Sequence, residues 1–210
     1  MSNLTIWEIS SFLQLPIMWA LFRKFGKVDV LRPMLAGAIV GCFIEFSTEP
    51  LWAYHYRINV YKDVPLAVVL GWGFLLTLVT QASEVLYRWV VDRVGSSREW
   101  YRVVCDVCAG VAVALPLEAI GLKNGIWDYN YVALQWTWGT LPLIEMPYEA
   151  LMGYALLMLI GPTYVRYWSR PLRACGGHLC VARTRWCLEI NSLRGGIGSV
   201  SAERSAVVQG

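Results

Sequence analysis

Five apolar stretches, each long enough to cross a lipid bilayer, constrain this chain more than any other feature. They cover residues 4–22, 31–54, 64–85, 103–122 and 139–164. A spanning helix needs about 20 mostly apolar residues, and backbone groups inside lipid must satisfy one another, which favours helices. The composition, 57% hydrophobic and 16% charged, departs from that of soluble domains in the same direction. The sequence predicts an all-α integral membrane protein, a bundle of about five transmembrane helices.

The basic residues indicate how this bundle is oriented. Of the 18 Lys and Arg residues, only Arg57, Lys62 and Lys123 lie in the connections after the second and fourth apolar stretches. The others lie in or beside the connections after the first, third and fifth stretches. Because cytoplasmic loops carry the excess of Lys and Arg, we expect a multi-pass protein with its N-terminus outside and its C-terminus in the cytoplasm.

The character of the chain changes near residue 170. Residues 1–169 hold all five apolar stretches and form the predicted transmembrane helical domain. Residues 170–210 are basic, rich in Gly and Ser, and have no apolar run long enough to span. Since such a segment buries too little apolar surface to order itself, we expect a disordered cytoplasmic tail.

The two halves of the predicted bundle share a pattern of motifs. An acid inside one helix precedes a W-x-Y motif, and an apolar-Pro-Leu triplet opens the next helix. The first half has Glu45, Trp52-Ala53-Tyr54 and Val64-Pro65-Leu66, and the second has Glu118, Trp127-Asp128-Tyr129 and Leu141-Pro142-Leu143. This pattern predicts an internal repeat in which helices two-three and four-five surround a shared cavity, as repeats in membrane proteins often do.

Three acidic residues fall deep inside the apolar stretches: Glu45, Glu118 and Glu145. An ionised carboxylate at the bilayer centre costs about 2.5–3.5 kcal/mol on insertion scales. These residues therefore predict a polar cavity inside the bundle, and they are the catalytic candidates. Glu49 and Glu149 follow by four residues, on the same helix faces as Glu45 and Glu145.

Other acids have a simpler interpretation. Glu8, Glu49 and Asp63 lie near predicted helix ends, where a charged group reaches headgroup water at little cost. Glu84 precedes Arg88 by four residues, a spacing at which opposite charges pair on one helix face. We expect these residues to be interfacial or paired.

Aromatic residues surround the deeper acids, in a chain with 11 Trp and 11 Tyr. Interfacial belts of membrane proteins are rich in both types. The alternative is a pocket whose ring faces stabilise a cation, worth about 2 kcal/mol or more per ring when desolvated. The candidate substrate-binding residues are Glu49, Trp52, Tyr54, Trp72, Trp127, Asp128, Tyr129, Trp138, Tyr148 and Glu149.

The W-x-Y motifs and the segments around them resemble known signatures. Trp127-Asp128-Tyr129 with Leu141-Pro142-Leu143-Ile144-Glu145 resembles the W-x-Y … L-P-[IV]-E-E signature of the membrane-bound lycopene cyclase domain. Glu45 … Trp52-Ala53-Tyr54 … Val64-Pro65-Leu66 … Trp72 is similar to the pattern of the carotenoid biosynthesis (hydratase) family. Small membrane terpene cyclases also resemble this chain in size and in having two essential acids on different helices. Ile144 stands where the first signature has a Glu.

The resemblance implies a membrane enzyme that modifies an isoprenoid without a metal or a redox cofactor. Its reaction would be cyclisation or hydration of a carotenoid or terpenoid polyene, an isomerase or lyase chemistry started by protonation. Glu145 would match the second acid of the signature, and Glu45 and Glu118 the acid that precedes the W-x-Y motif. The implied partners are a lipophilic polyisoprenoid substrate and membrane lipid.

The residues alone leave two other classes open: a small transporter or proton-coupled carrier that uses the intramembrane carboxyl groups, and a non-catalytic membrane subunit. They argue against metal-dependent hydrolysis, because the chain has only 2 His residues and a catalytic zinc commonly binds several. The Asp residues are scattered, unlike the paired Asp-rich motifs that hold a Mg²⁺ diphosphate. The net charge of +3 does not indicate nucleic acid binding. We expect no metal and no cofactor.

The charge distribution generates a test of orientation. A reporter fused after Arg173 is expected to be active only if it is of the cytoplasmic kind, because the basic connections stay on that side. The measurement compares two reporters fused at the same residue, one that is active only in the cytoplasm and one that is active only after secretion. Cleavage of the tail by protease added outside intact cells would contradict the orientation.

Overall fold

In the computed structural model, residues 3–26, 29–135 and 138–169 are described, and they are mostly helical. The predicted tail, residues 170–210, lies outside the described residues. The helices are α1 (Asn3–Leu21, followed by a π-helical turn at Phe22–Gly26), α2 (Leu31–Thr48), α3 (Leu66–Val94), α4 (Glu99–Lys123), the short α5 (Tyr131–Leu134) and α6 (Tyr148–Ser169). The strands are β1 (Trp52–Tyr54), β2 (Asn59–Tyr61), β3 (Val64–Pro65) and β4 (Trp127–Tyr129).

Four of the described helices are long and apolar enough to cross a membrane by length and composition: α1 with its π-helical turn, α2 with the 3₁₀ turn that follows it, α3 and α4. With the 22 residues of α6, the described chain has five long helices in the order that the apolar stretches predict. Large apolar side chains also lie on the outside of these helices. On α1, Ile6, Leu13 and Ile17 are each about half exposed (49–53%), although soluble proteins rarely expose a continuous apolar face.

The predicted second span, residues 31–54, is too long at its C-terminal end. The α-helix ends at Thr48, and Glu49–Leu51 form a 3₁₀ turn. Pro50 explains this end, because it has no N–H to donate along the helix and restricts the residue before it. Trp52-Ala53-Tyr54 then forms β1, which pairs antiparallel with β4. Both W-x-Y motifs are therefore strands, a state that their aromatic residues favour.

The predicted fifth span, residues 139–164, is wrong at its N-terminal end. Helix α6 begins at Tyr148, and the residues before it form a turn closed by a bridge between Thr140 and Pro147. Pro142 and Pro147 lack the backbone donors that a helix would need here. The apolar-Pro-Leu triplets therefore differ. Val64-Pro65 leads directly into α3 at Leu66, whereas Leu141-Pro142-Leu143 lies in the turn, before α6 begins.

Helix α3 is the centre of the bundle, in contact with α1, α2, α4 and α6. The buried core around it contains Trp72, Leu76, Val79, Ala109, Met158 and Val165. Glycines let the helices approach closely. A Cβ on Gly37 of α2 would lie 3.1 Å from the Cα of Gly73 of α3, and a Cβ on Gly161 of α6 would lie 2.8 Å from the Leu76 side chain.

A buried ionic cluster joins α3, α4 and α6 at the end of the bundle opposite β1 and β4. Arg166 donates through both terminal nitrogens to Asp106, with an Nη1–Oδ2 distance of 2.8 Å, and Nη2 also lies 3.2 Å from Ser83 Oγ. Ser83 itself donates to Asp106, whose side chain is 2% exposed. The expected pair of Glu84 with Arg88 is confirmed at 3.4 Å, and Arg102 lies closer, 2.8 Å from Glu84.

The ionic cluster generates a stability prediction. Arg166→Gln leaves the Asp106 carboxylate buried without its cation, so the free energy of unfolding is expected to fall by about 3–5 kcal/mol. An unfolding titration in detergent micelles measures it. Arg88→Gln is the matched control, because its ion pair is exposed and worth less than about 1 kcal/mol. Equal losses in the two variants would contradict the importance of the buried pair.

Candidate active site

A cavity of about 140 Å³ lies at the end of the bundle that carries the paired strands β1 and β4. Residues from α1, α2, α3, α4 and α6 and from both strands line it. Most of the lining is apolar or aromatic, and it contains two carboxyl groups, those of Glu45 and Glu118. Helix α1 packs against α3 but makes at most marginal contact with α4 among the described residues, although both helices line the cavity. The cavity therefore has a side, between α1 and α4, that no close helix contact covers.

Glu45 lies one turn before the end of α2 and is 1% exposed. Tyr54 donates its hydroxyl hydrogen bond to Oε2 at 2.7 Å, and Trp72 donates its indole N–H to Oε1 at 2.6 Å. Tyr54 reaches back to this carboxyl because the chain reverses after Thr48 and enters β1. Each oxygen of Glu45 thus has a donor from a different element, one from β1 and one from α3.

Glu118 lies near the end of α4 and is 3% exposed. Its Oε1 accepts hydrogen bonds from the Trp127 indole at 3.0 Å and from the Tyr129 hydroxyl at 2.5 Å. Its Oε2 accepts from the Tyr154 hydroxyl of α6 at 2.8 Å. Since Oε1 already has two donors, a proton carried by this carboxyl belongs on Oε2, beside Tyr154 and the cavity.

The pairing of β1 with β4 joins the surroundings of the two carboxyl groups. Trp52 is opposite Tyr129, and Tyr54 is opposite Trp127. Because side chains alternate along a strand, each W-x-Y motif directs its Trp and Tyr to one face. The ring centroids of Trp52 and Tyr129 are 4.8 Å apart, and Tyr154 stacks on Trp72 at 6.3 Å. The two carboxyl groups consequently share one aromatic cluster.

The phenols of the two strands remain neutral donors in this setting. Burial, followed by the charge of Glu45, raises the pKa of Tyr54 well above its ordinary value. Burial, followed by the charge of Glu118, does the same to the pKa of Tyr129. Both residues therefore keep their hydroxyl protons at any physiological pH and serve the carboxyl groups as hydrogen-bond donors.

Two glycines make room for the indoles that hold the carboxyl groups. A Cβ on Gly41, one turn before Glu45, would overlap the side chain of Trp72. A Cβ on Gly121, three residues after Glu118, would overlap the ring of Trp127. In each case the helix that carries the acid has no side chain at the point where the indole of its tryptophan partner packs against it.

The structure places the other predicted site residues differently. Trp52, Tyr54, Trp72 and Trp127 line the cavity, and Tyr129 is buried against Glu118. Glu49 pairs with Lys62 at 3.1 Å, Asp128 with His55 at 3.1 Å, and Glu149 accepts the backbone N–H of Trp138 at 2.9 Å. Trp138 and Tyr148 are exposed, and neither is among the residues that line the cavity.

Glu145 lies apart from the other two catalytic candidates. It is exposed in the turn before α6, with a left-handed backbone (φ 60°). Its carbonyl oxygen accepts a hydrogen bond from Tyr131, and its side chain is not among those that line the cavity. The sequence placed it inside a helix, and the two prolines around it prevent that helix.

Sequence reasoning missed the contribution of α1 and of Tyr154. Trp7, Ser11 and Gln14 of α1 line the cavity beside Tyr154. Polar residues within apolar stretches were the available signal for Ser11 and Gln14. The expectation that Glu8 is interfacial is wrong: it is 6% exposed and accepts the backbone N–H groups of Arg57 and Ile58 at 3.2 and 3.0 Å. Its role is to hold the loop after β1.

Comparison with known proteins assigns no family to this geometry: no family model, no curated protein and no solved structure matches the chain. Among the described residues, no group of three or more His, Cys, Asp or Glu side chains is placed to hold a metal ion. The cavity and its two carboxyl groups are therefore the features that bear on function, and the resemblance of the W-x-Y segments stays a prediction.

The glycine that faces Trp127 generates a second stability prediction. Gly121→Ala introduces a methyl group where the indole lies, and overpacking of this kind costs about 1–3 kcal/mol. Gly153→Ala of α6 is the matched control, because a Cβ there meets no atom within 4 Å and replacing a helical Gly by Ala stabilises by about 0.5–1 kcal/mol.

Melting temperatures of the purified variants in one detergent provide the measurement. The two substitutions are expected to shift the melting temperature in opposite directions, down for Gly121→Ala and up for Gly153→Ala. A Gly121→Ala variant as stable as the parent would contradict the close packing of Trp127.

Proposed function

We propose that this chain is a membrane enzyme that protonates an isoprenoid polyene and directs its cyclisation or hydration. The observation that carries the proposal is that Glu45 and Glu118, from two different helices, meet in one aromatic-walled cavity inside an apolar bundle. The cavity offers an acid, a second carboxyl group and aromatic ring faces, and needs no metal for this chemistry. The proposed substrate is a lipophilic polyisoprenoid taken from the membrane.

The proposed site of action is the bilayer itself, with α1, α2, α3, α4 and α6 as the spanning helices. The exposed apolar side chains on α1 support insertion, since lipid is the solvent that such a surface requires. The proposed orientation has the N-terminus outside and the C-terminus in the cytoplasm. We also propose that α2-α3 and α4-α6 are related pairs, which is supported by the two acids that each receive a tyrosine and a tryptophan donor.

The proposed chemistry begins on Glu118. Its neutral carboxyl group gives a proton to one carbon of a double bond, so a C–H bond forms from the π electrons and a carbocation remains at the other carbon. Trp52, Trp72 and Trp127 present ring surfaces in the cavity, and each such ring stabilises a desolvated cation by about 2 kcal/mol. A neighbouring double bond or water then attacks the cation. Glu45 accepts the proton released at the end, and exchange between the carboxyl groups restores the first state.

The size and position of the cavity fit the end of a long lipid. A cavity of about 140 Å³ is close to the roughly 150 Å³ that accommodates benzene in an engineered protein core. It therefore receives one ring-sized terminal group, while the remainder of the chain stays outside. The side between α1 and α4, where the helices make at most marginal contact, is the proposed path from the lipid.

A carrier would need a polar path along the bundle, and the interior argues against one. Trp72, Leu76, Val79 and Ser83 follow each other on one face of α3, at helical spacing. Leu76 and Val79 are fully buried between the cavity and the ionic cluster around Ser83 and Asp106. The polar Thr77 and Thr80 nearby donate their hydroxyls to carbonyls of their own helix. This apolar layer favours an enzyme with one opening over a carrier with two.

The proposal is tested by replacing one carboxyl group at a time. Glu118→Gln and Glu45→Gln keep the size of the side chain, but the first cannot donate an acidic proton and the second cannot accept one, so product formation is expected to fall by about 10² or more in each. Lipids extracted from cells that express parent or variant, analysed by mass spectrometry for isoprenoids, give the measurement. Parental product in both variants, at equal protein level, would contradict the proposal.

Glu145→Gln distinguishes two assignments of the acid. The proposal assigns the acids to Glu45 and Glu118, which line the cavity, and expects parental product from Glu145→Gln, whereas the signature resemblance predicts a loss as large as the others. The comparison uses the same extraction and the same expression level. A loss confined to Glu145→Gln would move the proton donor to the turn before α6.

A further inference from the structure

Gln14 is a polar side chain of α1 that faces the cavity. It is half-buried and lies beside Gly71 of α3, where a Cβ would come within 3.5 Å of the Gln14 Nε2 atom. The amide thus lies beside α3, at van der Waals distance from the position of a Cβ on Gly71. It enters the cavity from α1, whereas the two carboxyl groups enter from α2 and α4.

The hydroxyl groups that line the cavity have hydrogen-bond partners. Ser11 donates to the carbonyl oxygen of Trp7 at 2.9 Å and is hydrogen-bonded to the Tyr56 hydroxyl. Tyr54 and Tyr154 donate to the two carboxyl groups. By contrast, within the part of the chain that the structure describes, the amide of Gln14 has no hydrogen-bond partner.

An amide without a partner is costly in this environment. Transfer of such a group from water into apolar surroundings costs roughly 1–3 kcal/mol on the scale of protein substitutions, and lipid offers no hydrogen bond in return. A leucine at position 14, like the neighbouring Leu13 and Leu15, would suit an apolar helix as well as Gln14 does. A group inside the cavity is therefore the partner that makes the amide favourable.

We propose that Gln14 binds a neutral hydroxyl oxygen in the cavity and is the residue that selects it. A primary amide has both a donor and an acceptor, which matches a hydroxyl group that also donates and accepts. An anionic headgroup is disfavoured by the two carboxyl groups nearby. This inference rests on the proposed function, since it names the polar group that accompanies the isoprenoid in the same cavity.

The hydroxyl has two sources, and each gives Gln14 a different role. If it belongs to the substrate, the ligand is an isoprenoid alcohol, and Gln14 sets the position of the chain relative to Glu118. If it is water, Gln14 holds the nucleophile of a hydration. The water oxygen then forms a C–O bond to the carbocation, and the proton it loses passes to a carboxylate of the cavity.

The first arm of the test is binding, which needs no turnover. Quenching of tryptophan emission in the purified full chain in detergent is titrated with geranylgeraniol and with the matched hydrocarbon that lacks its hydroxyl. The parent is expected to bind the alcohol about fivefold more tightly, the effect of one neutral hydrogen bond, and Gln14→Met is expected to lose this preference. Leu13→Met is the matched control, because Leu13 is 49% exposed and does not line the cavity; it is expected to keep the preference.

The second arm detects water. If the parent shows no preference for the alcohol, its product formed in H₂¹⁸O is expected to carry the label, and Gln14→Met is expected to lower the labelled fraction at least tenfold. A substrate hydroxyl is supported by the first result and a bound water by the second. Alcohol preference and labelling that are both the same in Gln14→Met and in the parent would overturn the inference.

The proposed function fails by a different measurement, the product level of Glu118→Gln. That variant is expected to lose product while its preference for geranylgeraniol over the hydrocarbon stays parental, since Gln14 is untouched. Parental product from Glu118→Gln and Glu45→Gln, with an alcohol preference that Gln14→Met removes, would retain the binding role of Gln14 and reject the chemistry.

Discussion

The antiparallel pairing of β1 with β4 determines where everything else in the cavity lies. Three residue pairs join the strands, and the chain enters β1 from α2 and β4 from α4. This short ladder therefore holds together the ends of the two helices that carry Glu45 and Glu118. The outer face of the same ladder bears Asp128, which pairs with His55 at 3.1 Å. A strand pair of this length is marginal alone, so its stability depends on the aromatic rings that pack beneath it.

The cost of keeping two carboxyl groups in an apolar interior is met by hydrogen-bond donors. Five side chains supply them, namely Tyr54, Trp72, Trp127, Tyr129 and Tyr154. Indoles and phenols are suited to this task because each combines one polar group with a large apolar surface. Four of these five side chains, all but Tyr129, also line the cavity. A substitution at one of the four would therefore change both the hydrogen bonding of a carboxyl group and the wall of the cavity.

Much of the helical fold could be predicted from the sequence, because its long apolar stretches have the length that a helix needs to be able to cross a bilayer. The location of Glu45 and Glu118 in a cavity could also be predicted, since a carboxyl group in an apolar stretch costs much free energy unless it faces a polar cavity. The strands formed by the W-x-Y motifs could not be predicted. Their partners lie far apart in the chain, as His55 and Asp128 do at 73 residues, and such pairing leaves no local periodicity in the sequence. Gln14 and Tyr154 were missed because neither belongs to a repeated motif, and only the packing of α1 and α6 brings them to the cavity.

Arg166 is synthesised after both of its partners, Ser83 and Asp106, so the buried ion pair can form only late in synthesis. Asp106 and Ser83 are synthesised first, and until α6 enters the bundle the Asp106 carboxylate has no cation among the described partners. Tyr154, on the same helix, completes the donors of Glu118. Packing of α6 against the bundle therefore neutralises one buried charge and adds the last aromatic donor of the cavity in a single event. A chain that is truncated or stalled before this helix leaves two acids of α4 incompletely paired, because within the described part of the chain Asp106 keeps only Ser83 and Glu118 keeps only Trp127 and Tyr129.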